Sequence, residues 1–164
     1  MSHAGQIWIG ATNGWAAPII RWVTRSPVNH VKVGLNDNLD IGAEPGGARI
    51  RLQRDYQGGY WSRLDLTDEQ RAQIVALATE LENTPYNWYD DLLIPLVIWL
   101  DKRGIAYPKW LQRHISTVAT LQCAQLADLV YETADIHIFN DGRVPGAVYP
   151  GSFVAIFKAH GWMP

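Results

Sequence analysis

The chain has 164 residues, 48% of them apolar and 18% charged, with a formal net charge of -2. That composition excludes a disordered chain, and it offers no basic excess for nucleic acid or an anionic lipid surface. A single cysteine allows no internal disulfide, and the length suits one domain whose core needs no staples.

The opening "MSHAGQIWIG" has no basic segment leading into an apolar stretch, so no secretory signal is expected. Cytoplasmic synthesis follows, with the final site of action open. "GQIWIG" reads as a first strand, and "WAAPIIRWVTR" as a short helix starting near Pro18. Val31, Val33 and Leu35 alternate, which predicts a strand with one buried face. "NDN" turns it into a hairpin that returns through "LDIGAE". "PGG" turns again into "ARIRLQ", with Arg49 and Arg51 on one face and Ile50 and Leu52 on the other.

The second half reads as helical. "TDEQ", Thr67 to Gln70, is a capping box for a helix running to about Glu82, with Ile74, Leu77, Ala78 and Leu81 on one stripe. "NTPYN" breaks it, and a second helix is expected over Trp88 to Arg103, ended by Gly104. Within it, Leu92 to Leu100 is the longest apolar run. It is far short of the roughly 20 residues that span a bilayer, and Pro95 interrupts it, so no transmembrane segment is expected. Either it is a buried helix or it forms an apolar wall beside a lipid-like substrate. A third helix is expected from about Thr120 to Thr133, and "PGAVYPGSF" reads as a turn-rich connection to the tail. Together these elements predict an α+β architecture, a small antiparallel sheet packed with helices.

Cys123 opens two readings. With Leu126, Ala127 and Val130 it forms an apolar helix face, where a free cysteine is at home as a packed residue. It also falls in the first turn of its helix, where unpaired N–H groups stabilise a thiolate and can hold an oxyanion. His30, opening a strand straight after "SPVN", is a candidate base for such a thiol. The other histidines, His3, His114, His137 and His160, have no metal-ligand spacing, and neither a metal nor a cofactor is expected. "GATNG" and "GGAR" do not match a phosphate loop.

In order along the chain, "GQIWIGATNGWAAPIIRWVTRSPVNHVKVGL", "TPYNW", "LQCAQLADLVYETA" and "PGAVYPGSF" resemble the NlpC/P60 superfamily. The likeness is to its circularly permuted papain-like branch, the YiiX/YaeF-like amidases and peptidases, in which the histidine strand precedes the cysteine helix. The resemblance implies a permuted papain-like fold with Cys123 as nucleophile and His30 as base, and Tyr86 and Gln122 at the substrate cleft. It implies a peptide, peptidoglycan fragment or acyl substrate.

The family's orienting residue, twelve positions after the histidine, corresponds here to Gly42, which has no side chain. Asp40 and Glu44 flank it on the same strand face, and either carboxylate can take that role; so can a backbone carbonyl or a water. Gln6, Gln122 and Gln125 also depart from the family pattern. The expected activity is a cysteine amidase or peptidase. The alternatives are a catalytically weak papain-like module binding cell-wall fragments or lipid, and a thioesterase or acyltransferase.

Overall fold

A computed structural model describes residues 2–13, 18, 21–22, 25–44, 47–53, 59–84, 103–104, 123–139 and 148–163. The expected Trp88–Arg103 helix, apart from Arg103, and its Leu92–Leu100 run lie outside the described residues, as do Tyr86, Gln122 and most of "WAAPIIRWVTR".

Five strands form one antiparallel sheet: β1 (Ile7–Gly10), β2 (His30–Gly34), β3 (Leu39–Glu44), β4 (Gly47–Leu52) and β5 (Gly59–Trp61), in the order β4-β3-β2-β1-β5. Three helices are described with it: α1 (Asp68–Glu80), α2 (Cys123–Thr133) and α3 (Pro150–Ala159). The α+β class is therefore observed.

The hairpins form where the turn residues predict them. Asn36 accepts through Oδ1 from the Asn38 and Leu39 N–H groups at 2.8 and 2.9 Å, closing the β2–β3 turn. The β3–β4 register runs from Leu39 opposite Leu52 to Glu44 opposite Gly47.

Alternation gives the sheet two unlike faces. Ile7, Ile9, Val31, Val33 and Ile41 project to one side, and each is essentially inaccessible to water. They share a single core cluster with Ile74 and Ala78 of α1, Leu126, Ala127 and Val130 of α2, and Phe153 and Phe157 of α3. Burying one such aliphatic side chain stabilises the fold by about 1.5–3 kcal/mol. Trp8, His30, Lys32, Asp40 and Gly42 alternate with these and belong to the other face. That face is buried in its middle too, since Trp8, Lys32 and Asp40 are almost wholly covered. Trp8 lays its indole across Gly10 of its own strand and Gly59 of β5. A methyl group at either glycine would come within 2.3 Å of the ring.

α1 begins as the capping box predicts: Gln70 N–H donates to Thr67 Oγ1 (3.2 Å) and Thr67 N–H donates to Gln70 Oε1 (3.0 Å). Beyond its end, Asn83 N–H donates to the Ala48 carbonyl and Ala48 N–H donates to the Thr84 carbonyl. These bonds tie the chain to the outer edge of β4. Two elements differ from expectation. β5 pairs with β1, opposing Trp8 with Trp61 and Gly10 with Gly59, although "GYW" is too short to carry a strand signal. The stretch expected to be a turn-rich connection ends in a helix. Pro150 opens α3, where its fixed φ and missing N–H suit a first helical position, and Phe153 and Phe157 then fall on one buried stripe.

Candidate active site

The entry to β2 is fixed before His30 is reached. Asn29 is buried, its N–H donates to the Gly10 carbonyl, and its side chain both accepts from Thr12 N–H (3.0 Å) and donates to Thr12 Oγ1 (2.9 Å). His30 then opens β2 opposite Gly10 of β1.

Cys123 is half-buried and is the first described residue of α2. The direction of that helix along the sheet is set at its far end. The Tyr131 hydroxyl, fully buried, donates to the Gly5 carbonyl, and Gly5 N–H donates to the carbonyl of Gly34, the last residue of β2. Tyr131 therefore stands at the Gly34 end. Running back, α2 covers ~12 Å from Tyr131 to Cys123 and β2 covers ~13 Å from Gly34 to His30. Since α2 packs on β2 and β3, Cys123 and His30 lie at the same end of the helix-on-strand pair, but α2 covers the Val31/Val33 face while the imidazole lies on the other.

The imidazole itself lies on the Lys32 face of the sheet, the face opposite Val31 and Val33. A Cβ built on Gly42 would stand 3.3 Å from His30 Nε2 and 3.0 Å from Lys32 Cγ. Position 42 thus faces the ring, but glycine supplies nothing there to orient it. Among the described residues no hydrogen bond joins His30 to Cys123.

The two flanking carboxylates share that face as strand periodicity predicts, but they have other partners. Asp40 Oδ1 accepts from Lys32 Nζ at 3.1 Å, with both side chains buried. Glu44 Oε2 accepts from Arg51 Nε and Nη2 at 3.2 and 3.0 Å. Neither is hydrogen-bonded to His30 among the described residues. The reason is proximity of opposite charge: each carboxylate has a cation on the same sheet face.

Electrostatics keep His30 neutral. Burial, and then the Lys32 ammonium, lower its pKa to about 3. Burial pushes the Asp40 carboxyl above its ordinary range against the opposing pull of Lys32, and Glu44 adds to the rise. Asp40 Oδ2 is buried without a hydrogen-bond partner among the described residues. Lys32 is the residue that sequence reading missed. Its signal was available: a lysine between two core valines, with an aspartate on the same face of the next strand of a tight hairpin.

The remaining sequence features have structural roles. Gln6 is buried, donating to the Leu64 carbonyl (2.9 Å) and accepting from Ser62 Oγ (2.6 Å) and Leu64 N–H (3.0 Å). His3 stacks on Trp61, His160 stacks on Trp162, and His137 lies 3.6 Å from Asp135. Among the described residues no group of three or more histidine, cysteine or acidic side chains could hold a metal ion. No helix there is long and apolar enough to cross a membrane. A cavity of about 720 Å³ opens beside β5, lined by His3, Tyr60, Trp61, Arg63, Asp65 and Arg71 among others; neither Cys123 nor His30 lines it.

A scan against protein-family models gave no match, and a search of curated proteins gave none.

Proposed function

We propose that this chain is a cysteine hydrolase of the permuted papain-like type, cleaving an amide bond in a cell-wall peptide or an N-acyl substrate. The observation that supports the reading is the Tyr131–Gly5–Gly34 link, which runs α2 along β2 with Cys123 and His30 at one end, on opposite faces of the sheet.

The Cys123 sulfur attacks the substrate carbonyl carbon. N–H groups of the first turn of α2, that of Cys123 included, hold the oxyanion. His30, a neutral imidazole at rest, takes the thiol proton and returns it to the leaving amine. A thiolate beside the ring raises its proton affinity in return. The imidazole rests on the sheet face opposite α2, so it has to swing around the open start of β2 to meet the sulfur when substrate arrives. Water then hydrolyses the thioester and restores the thiol.

A second reading, a catalytically weak module binding a cell-wall fragment or lipid, draws on two observations. Gly42 puts no side chain beside the His30 ring. The aromatic-lined cavity beside β5 offers a binding volume within the usual ligand-pocket range of ~300–1,000 Å³.

The test is intact-mass analysis after incubation with chromogenic N-acyl amides and stem-peptide amides. Hydrolase action gives an acyl adduct on Cys123 that turns over, is absent in Cys123→Ala, and forms about 100-fold or more slower in His30→Ala. No adduct, together with Cys123 alkylation at an ordinary midpoint near ~8.5 that His30→Ala leaves unchanged, overturns the hydrolase in favour of the binding module.

A further inference from the structure

The middle of the polar sheet face holds a buried ion pair that the mechanism above does not use. Lys32 and Asp40 come from adjacent strands, are almost wholly covered, and meet at 3.1 Å. A buried pair of this kind is weak evidence for stability, because desolvation cancels much of the attraction. Its place in the site is therefore informative.

The Lys32 stem runs over Gly42. The space a side chain at position 42 would enter is bounded by Lys32 Cγ at 3.0 Å and His30 Nε2 at 3.3 Å. The lysine stem and the imidazole thus flank the place where an orienting side chain would stand. We propose that the Lys32–Asp40 pair is the positioning element for His30. The lysine stem, fixed at its tip by Asp40, stands in for the side chain that Gly42 lacks and supports the ring as a neutral proton acceptor.

This inference rests on the hydrolase reading for its purpose, but not for its test. Among the described residues, the charged groups on this face that bear on His30 are Lys32 from β2, Asp40 and Glu44 from β3, and Arg49 and Arg51 from β4. The facing residue of β1 is Gly10, without charge, and α2 brings Cys123 to the same end. Glu44 is engaged by Arg51, and Arg49 donates to Asn83. The Lys32 ammonium disfavours a charged imidazole, and its effect adds to that of burial.

The experiment is an NMR titration of the histidine ring protons, with His30 assigned through His30→Gln. In the parent protein, His30 should titrate well below the ordinary histidine value of about 6.5. Lys32→Met/Asp40→Asn, which removes both charges and keeps both shapes, should raise its midpoint by about one pH unit or more, a tenfold gain in proton affinity. Lys32→Arg, which keeps the charge, should leave the midpoint low. Gly42→Ala places a methyl group between the stem and the ring without altering any charge, and should displace the His30 ring resonances. A His30 midpoint unmoved in the folded double variant overturns the proposal. If that variant does not fold, His30 resonances unmoved in Gly42→Ala overturn it. Absence of amide hydrolysis in the parent would sink the hydrolase reading and leave this titration equally decisive for the pair.

Discussion

Replacing Lys32 by methionine isolates the energetics of the polar face. In the parent protein the Asp40 carboxylate is wholly buried, one oxygen is held by Lys32 Nζ, and the other has no partner among the described residues. Lys32 also supplies the two influences that oppose the upward shift of its pKa. Lys32→Met therefore leaves a buried, uncompensated carboxylate, a loss that costs ~3–5 kcal/mol when the group stays charged. Protonation caps that cost, so ~3 kcal/mol is expected at pH 7 and less at pH 5. Asp40→Asn alone strands the ammonium at a similar cost. Lys32→Met/Asp40→Asn should fall within ~1 kcal/mol of the parent, giving a coupling of several kcal/mol in a double-mutant cycle. Urea unfolding of the four proteins at pH 7 and pH 5 measures it, with the slope m held as a check. A loss below ~1 kcal/mol for Lys32→Met at pH 7, or additive single losses, would refute the reasoning.

Three further outcomes follow from the same contacts. His30 has a folded pKa near 3 against an ordinary 6.5, so the unfolded chain binds the extra proton and stability should be lost as pH falls from 6.5 toward 3. Discounted for the water that reaches the half-buried ring, the loss is on the order of 2–3 kcal/mol. In His30→Gln, unfolding measured across that range should show a flatter profile. Asp40 acts in the opposite sense: its raised pKa lets the folded chain bind the proton more tightly, so its contribution falls as pH rises from 3.8 through the raised value. Tyr131→Phe removes the hydroxyl that ties α2 to Gly5 and should cost ~1–2 kcal/mol in urea unfolding. It should also lower the rate of any Cys123 acylation, since the same bond sets how α2 lies along β2. Thr67→Ala should cost ~1 kcal/mol through loss of the α1 cap, read as a fall of ~2–4 °C in Tm.

Much of the fold was legible because its signals are local. The Thr67–Gln70 box, the Asn36 turn and the alternation through Val31 and Val33 each depend on residues a few positions apart, and each formed as expected. The β5 strand was not legible, because three residues become a strand only when β1 is beside them. α3 was misread because Pro150 is a breaker within a helix and a favoured residue at its start, and local reading chose the former. At the site, the places of His30 at the start of β2 and of Cys123 on a helix were readable. The partners of Asp40 and Glu44 were not: periodicity shows which face a carboxylate is on, whereas Lys32 and Arg51 decide what it bonds. Lys32 was passed over because a lysine in an alternating strand is normally solvated, and here both faces of the strand are covered.

The indole of Trp8, lying over opposed glycines on two strands, bears on how the sheet finds its alignment. Among the described residues three of β5 meet β1, too few for hydrogen bonds alone to distinguish one alignment from the next. A shift by one position would bring Tyr60 in place of Gly59 under the indole, where even one added methyl group has no room. It would also send Trp61 to the opposite side of the sheet. The two glycines act as a notch and the tryptophan as its key, so that a mispaired edge is rejected by shape before backbone bonding could stabilise it.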